Sequence, residues 1–224
     1  MENDKFYENY SSMVLRVAIP QYNADIMPQG WRTKFVDGVP IEVIKTPYFP
    51  QSPEDKYCYV CSLKMVLSYF KNEYPNRVIN ENTPDLSIKE IKNVTKTRGR
   101  GGTKEQNLVK ELEVAVPTLK FELIKDGNFN MIKDLTDKGI PVIVLYCGDY
   151  LLNRERGGGH AGVAVKVTAD KIILNNPWFG YEYIVDRSDF QEAWELEYRA
   201  FIKITPTYQT RLAKTMAGVS SSVN

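Results

Sequence analysis

Histidine is almost missing from this chain: His160 is the one histidine in 224 residues. Any chemistry at neutral pH that needs an imidazole must run through it. Cysteine is scarce too. Cys58, Cys61 and Cys147 are an odd set of three, too few for a disulfide scaffold and better suited to a reducing compartment. A formal net charge of +1 offers no basic field to hold nucleic acid or an anionic membrane surface. No apolar run approaches the length needed to span a bilayer. The opening Met1-Glu2-Asn3-Asp4-Lys5 lacks the basic start and apolar core of a secretory signal. The expectation is a cytoplasmic protein with no membrane span, no nucleic-acid partner and no cofactor or metal.

What is present suits one globular domain: 43% hydrophobic and 25% charged residues, in a length too short for two large cores. The chain is organised around residues 47–70. A proline-broken polar loop, Pro47 to Lys56, runs into a nearly all-apolar helix beginning near Tyr57. Val60, Leu63, Val66, Leu67, Tyr69 and Phe70 surround more than one face, which predicts a central, buried helix. Cys58 falls in its first turn, where unpaired N–H groups and the helix dipole stabilise a thiolate. Gln51, seven residues upstream, brings a side-chain amide that can meet an oxyanion. Together these are the front half of a cysteine-nucleophile site.

The other half needs a base. His160 follows Gly157-Gly158-Gly159 and opens the apolar run Ala161 to Val167. The glycines free the backbone, leave the imidazole uncrowded and suggest a movable flap. They are not a phosphate loop, because no Gly-Lys-Ser/Thr follows. A second strand ends in Asn175-Asn176-Pro177, and antiparallel pairing would let a carboxamide orient the ring. Only one of the two asparagines can point at it from a regular strand, and adjacency to Pro177 favours Asn176.

In this order of motifs the chain resembles the papain-fold cysteine peptidases related to the bacteriocin (double-glycine) leader peptidases. The residues that carry the resemblance are Pro47-Tyr48-Phe49-Pro50-Gln51, Cys58, Gly102-Thr103, Gly139-Ile140-Pro141-Val142-Ile143-Val144, His160 and Asn176-Pro177, from roughly Ile44 to Ile204. Tyr59 stands where the family usually has Gly, and Asn176 where it has Asp. Papain is similar to this chain in using Asn there. The resemblance implies a peptide or protein substrate and catalytic roles for Cys58, His160, Asn176 and Gln51.

Along the chain, Met13 to Ile19 reads as a strand and Trp31 to Ile44 as a hairpin turning at Asp37-Gly38. The hairpin is either an added sheet edge or a cover over the cleft. Asn72 to Pro84 reads as a polar connection. Ser87-Ile88-Lys89-Glu90 and Thr103-Lys104-Glu105-Gln106 are capping boxes that open helices running to Val94 and Val114. A helix over Asn130 to Lys138 follows the strand Lys120 to Ile124. Strands are expected at Pro141–Tyr146, His160–Val167, Lys171–Leu174, Tyr181–Val185 and Tyr198–Ile204, with a helix at Asp189–Trp194. Helices first and an antiparallel sheet afterwards make an α+β, papain-like fold, the Cys-bearing helix packed on the sheet. The expected division is an N-terminal extension (1–43), a peptidase domain (44–206) and a tail (207–224).

The expected chemistry is a thiolate–imidazolium pair that attacks a carbonyl and passes through an acyl-enzyme. An acyltransferase would share the first half-reaction, and Tyr59 leaves room for a papain-fold module that binds peptides without cleaving them. Cys58-Tyr59-Val60-Cys61 also has redox or half-zinc spacing. The zinc reading lacks a second ligand pair, and the redox reading lacks a preceding strand.

Overall fold

The computed structural model describes residues 30–51, 57–98, 103 and 109–207. The strand expected at Met13–Ile19, the Gly102 motif, most of the Thr103 capping box and the tail lie outside them. The hairpin forms as β1 (Trp31–Val36) and β2 (Val39–Ile44), paired antiparallel. Asp37 and Gly38 both take positive φ, at 49° and 78°, the turn whose twist matches that of the strands it joins.

The long helix α1 (Cys58–Asn72) is followed by α2 (Arg77–Asn82) and α3 (Ile88–Val94). α2 falls inside the stretch read as a plain connection. Its start is fixed by Asn76, whose side chain accepts from Ile79 N–H, and six residues are too few to show a hydrophobic period. α3 begins with the expected capping box, both reciprocal bonds between Ser87 and Glu90 being made. After α4 (Lys110–Ala115) come β3 (Leu119–Ile124), α5 (Phe129–Thr136), β4 (Val142–Cys147) and α6 (Gly148–Asn153). The chain then forms β5 (Gly159–Val167), β6 (Lys171–Asn176), β7 (Gly180–Asp186), α7 (Arg187–Glu195) and β8 (Phe201–Pro206). The last strand starts at Phe201 rather than Tyr198, because Tyr198 and Arg199 take left-handed φ values that a strand cannot hold.

Six strands make one antiparallel sheet in the order β3-β8-β4-β5-β6-β7. Its two faces bury separate cores. α1 and the hairpin share one face, packing Leu63, Val66, Val43 and Ile44 with Val163, Val165 and Ile173. On the other, α5 and α7 cover Val144, Tyr146 and Leu174 with Phe129, Phe190 and Trp194. The hairpin is therefore a separate two-stranded sheet laid beside α1, not an added edge. α1 is apolar all round because α2 and α3 close its far side. Within it, Tyr69 donates its hydroxyl to Gly139 O at 2.9 Å, and Ser62 donates to Ala161 O at 3.3 Å. Both bonds fix the helix against the loop before β4 and the start of β5.

Candidate active site

Four segments converge at the N-terminal end of α1: the loop 46–51, the helix start, the β4–β5 strand pair and the end of β6. Cys58 is the first residue of α1 and is partly exposed. Burial pushes its thiol above the ordinary range, while the backbone amides of Ala161, Tyr59 and Cys58 pull against that rise. The Ala161 amide belongs to the residue directly after His160, so the sulfur lies at the start of β5.

His160 opens β5, 6% exposed. Its Nε2 lies 2.9 Å from Asn176 Oδ1. The same Oδ1 accepts Trp178 N–H at 2.9 Å and Phe179 N–H at 3.1 Å, while Nδ2 donates to the Tyr146 hydroxyl at 2.7 Å. Three donors on one end and an acceptor on the other fix which way the carboxamide points. A carbonyl oxygen only accepts, so Nε2 carries the proton and Nδ1 keeps the lone pair. Burial lowers the imidazole to about 4, and the Asn176 hydrogen bond and the Asp149 charge oppose that shift. Burial thus pushes both groups toward their uncharged forms, the thiol upward and the imidazole downward.

Asn175 faces elsewhere. Its Nδ2 donates to Thr46 O at 3.2 Å and its Oδ1 accepts Glu182 N–H at 3.0 Å. It ties the loop before the helix to β7. A register shift between Leu174 and Asn176 lets two adjacent, fully buried asparagines serve different partners.

Gln51 donates its backbone N–H to Pro177 O at 3.0 Å, and Tyr48 donates its hydroxyl to Asn176 O at 3.0 Å. The loop thus runs along the turn that ends β6. Gln51 Oε1 is buried with no partner among the described residues. Tyr59 is buried in the α1-side core, 6% exposed, and its hydroxyl too finds no partner among the described residues. Its ring packs inward rather than standing at the mouth. Cys61 packs beneath the loop, its thiol 3.7 Å from Pro50 O. Among the described residues no group of three or more His, Cys, Asp or Glu could hold a metal.

Two of the glycines before His160 are hydrogen-bonded to the β4–α6 junction. Gly158 N–H donates to Asp149 Oδ2 at 2.9 Å, and Gly157 N–H to Cys147 Sγ at 3.4 Å. A Cβ on Gly157 would lie 1.7 Å from that carboxylate oxygen, so a larger residue would have to displace the Asp149 side chain. Sequence reasoning missed Asp149 and Tyr146. Tyr146 did leave a signal: a tyrosine in the otherwise aliphatic Val142-Ile143-Val144-Leu145 strand must bury a hydroxyl and find it a partner.

The profile described as the Peptidase_C39 like family matches residues 43–200, more than half of the chain. The chain belongs to the Peptidase_C39 like family. As a member it is a cysteine peptidase-like domain, and its α+β architecture is the papain-like one. Among solved structures it is similar to a C39-like peptidase from Bacillus anthracis, at 16% identity and a TM-score of 0.51 over 72% of this chain and 94% of that one. It is also similar to the peptidase domain of Streptococcus ComA, described as a bi-functional ABC transporter involved in a quorum sensing pathway. There the identity is 19% and the TM-score 0.50, over 71% of this chain and 97% of that one. At such identities the likeness is one of fold. A search of curated proteins finds no match. Among the described residues no helix is long and apolar enough to cross a membrane.

Proposed function

We propose that this family member cleaves a peptide bond in a peptide or protein substrate, with Cys58 as nucleophile, His160 as base and acid, and Asn176 as the residue that orients the ring. The observation that carries the reading is the 2.9 Å contact of His160 Nε2 with Asn176 Oδ1, which leaves the Nδ1 lone pair for the thiol. Nδ1 takes the proton of Cys58 Sγ as the sulfur attacks the carbonyl carbon. The oxyanion is met by the backbone N–H of Cys58 and by the side-chain N–H₂ of Gln51. A half-turn of the Gln51 amide exchanges its oxygen and nitrogen without moving the carbons, so the same side chain can turn a donor inward. When the C–N bond breaks, the proton on Nδ1 goes to the leaving amine and a thioester remains. Water attacks the thioester, Nδ1 takes its proton, and the departing sulfur regains one as the acid leaves. In this sequence the proton moves as the carbonyl is attacked, so it needs no ion pair at rest.

The burial of Tyr59 supports turnover over a binding-only module, since its ring packs in the core. The test is iodoacetamide labelling of Cys58 against Cys61 and Cys147, in wild type and His160→Ala. Fast labelling at Cys58 that depends on His160 is expected. Equal rates at all three thiols, or superimposable curves in the two proteins, would remove the reading. A peptide-library cleavage assay then asks which peptides are cut.

A further inference from the structure

Tyr146 is the direct cross-strand partner of His160 in the β4–β5 pair. Its ring meets the imidazole edge-on, with centroids 5.4 Å apart and planes at 79°. Its hydroxyl is fully buried and lies 2.7 Å from Asn176 Nδ2. Opposite it, Gly162 gives room: a Cβ there would stand 3.3 Å from the hydroxyl oxygen.

We propose that Tyr146 is a positioning residue that lets a carboxamide serve at position 176, by accepting the Asn176 N–H₂ and so holding the oxygen end toward His160. A carboxylate has two equivalent oxygens and meets the imidazole N–H in either orientation. A carboxamide does not. Turned over, Asn176 would set its N–H₂ against the Trp178 and Phe179 amides and the ring N–H, donor against donor. Those two backbone amides hold the oxygen end, and the Tyr146 hydroxyl satisfies the other end. Without it a fully buried N–H₂ is left unpaired, and the side chain relieves that cost by shifting off the ring. The ring then loses the bond that keeps its proton on Nε2. The step from ring orientation to thiol reactivity rests on the mechanism proposed above; the step from Tyr146 to ring orientation does not.

One histidine in the chain makes the test clean, since the imidazole ¹⁵N spectrum of the full-length protein contains His160 alone. Wild type should show a protonated Nε2 and a bare Nδ1. Tyr146→Phe removes one oxygen and keeps the ring packing. The nitrogen shifts should move toward a mixture of tautomers, and iodoacetamide labelling of Cys58 at pH 7 should fall by about tenfold, the cost of one unpaired buried donor. In an Asn176→Ala background the same change should move neither readout further, because Tyr146 acts through Asn176. Unchanged nitrogen shifts in Tyr146→Phe would overturn the proposal, as would an equal labelling loss in both backgrounds. If His160→Ala left Cys58 labelling untouched, the peptidase mechanism would fall while the nitrogen spectra still judged Tyr146.

Discussion

The two sides of the site are finished to different degrees. On the imidazole side His160, Asn176 and Tyr146 are buried, and Asn176 bonds to the other two and to the Trp178 and Phe179 N–H groups. On the thiol side, Cys58 is partly exposed and Gln51 keeps a buried oxygen without a partner among the described residues. The difference separates two tasks. On the proposed mechanism the base must be aimed before the reaction begins, which the supports built into the sheet would do. In the mechanism proposed above, Gln51 must turn its N–H₂ inward to meet an oxyanion, a partner that exists only in the transition state. Substitutions on the first side should therefore cost stability and activity together, and those on the second should cost activity alone.

The largest effect expected is from Cys58→Ala: peptide cleavage is abolished with an unchanged melting temperature, while Cys61→Ala retains most activity. A dead Cys61 variant beside a live Cys58 one would reverse the assignment. His160→Ala should lower the rate by orders of magnitude and change the pH profile of Cys58 labelling. In wild type the rate should fall on the acid side as the imidazole protonates near its value of about 4, hold a plateau, and rise again as the raised thiol ionises. The variant should keep only the alkaline rise, and an acid limb surviving in it would sever the pair.

Gln51→Ala should reduce turnover by about 10²–10³ while leaving stability equal or higher, since a buried carbonyl without a partner is removed. A clear loss in the urea unfolding midpoint would place Gln51 among the structural groups and break the contrast. Stability against pH reports on the imidazole side. The unfolded histidine titrates at 6.5 and the folded one at about 4, so the folded state binds fewer protons between those values. The stabilisation is full above pH 6.5 and declines by about 3 kcal/mol as pH falls to 4. Urea titrations at pH 7 and pH 4.5 should show the loss in wild type and a smaller one in His160→Gln. The smallest effect belongs to Tyr59→Phe, which removes an unpartnered buried hydroxyl and should raise stability by about 1 kcal/mol in a thermal melt.

Much of this was legible in the sequence because the signals were local. The apolar wrap of α1, the Asp37-Gly38 turn and the Ser87–Glu90 box each announce themselves within a few residues. The glycine run flags His160, and Pro177 singles out Asn176 from its neighbour. What stayed hidden depends on register. That Tyr146 faces His160 follows from the β4–β5 pairing, and that Asn175 and Asn176 diverge follows from a bulge in β6–β7. Neither can be read from spacing. The upward push on the Cys58 thiol was hidden for a different reason, since burial outweighs the backbone-amide stabilisation that its place at a helix start suggests.

The strand order carries a consequence for how the molecule comes into being. β8, the last strand of the described chain, does not sit at a margin: it lies between β3 and β4, pairing Phe121 with Ile204 on one side and Ile143 with Ile202 on the other. Until residues 201–206 leave the ribosome, β3 has no neighbour and β4 shows a bare edge of Val142 to Cys147, an apolar template for pairing with other chains. The sheet is completed from its middle by its final piece, and the strand that carries Tyr146 is the one left waiting. The segment that becomes the cysteine helix leaves the ribosome long before the sheet it packs on is complete, so reactivity at Cys58 should appear late, with the insertion of β8.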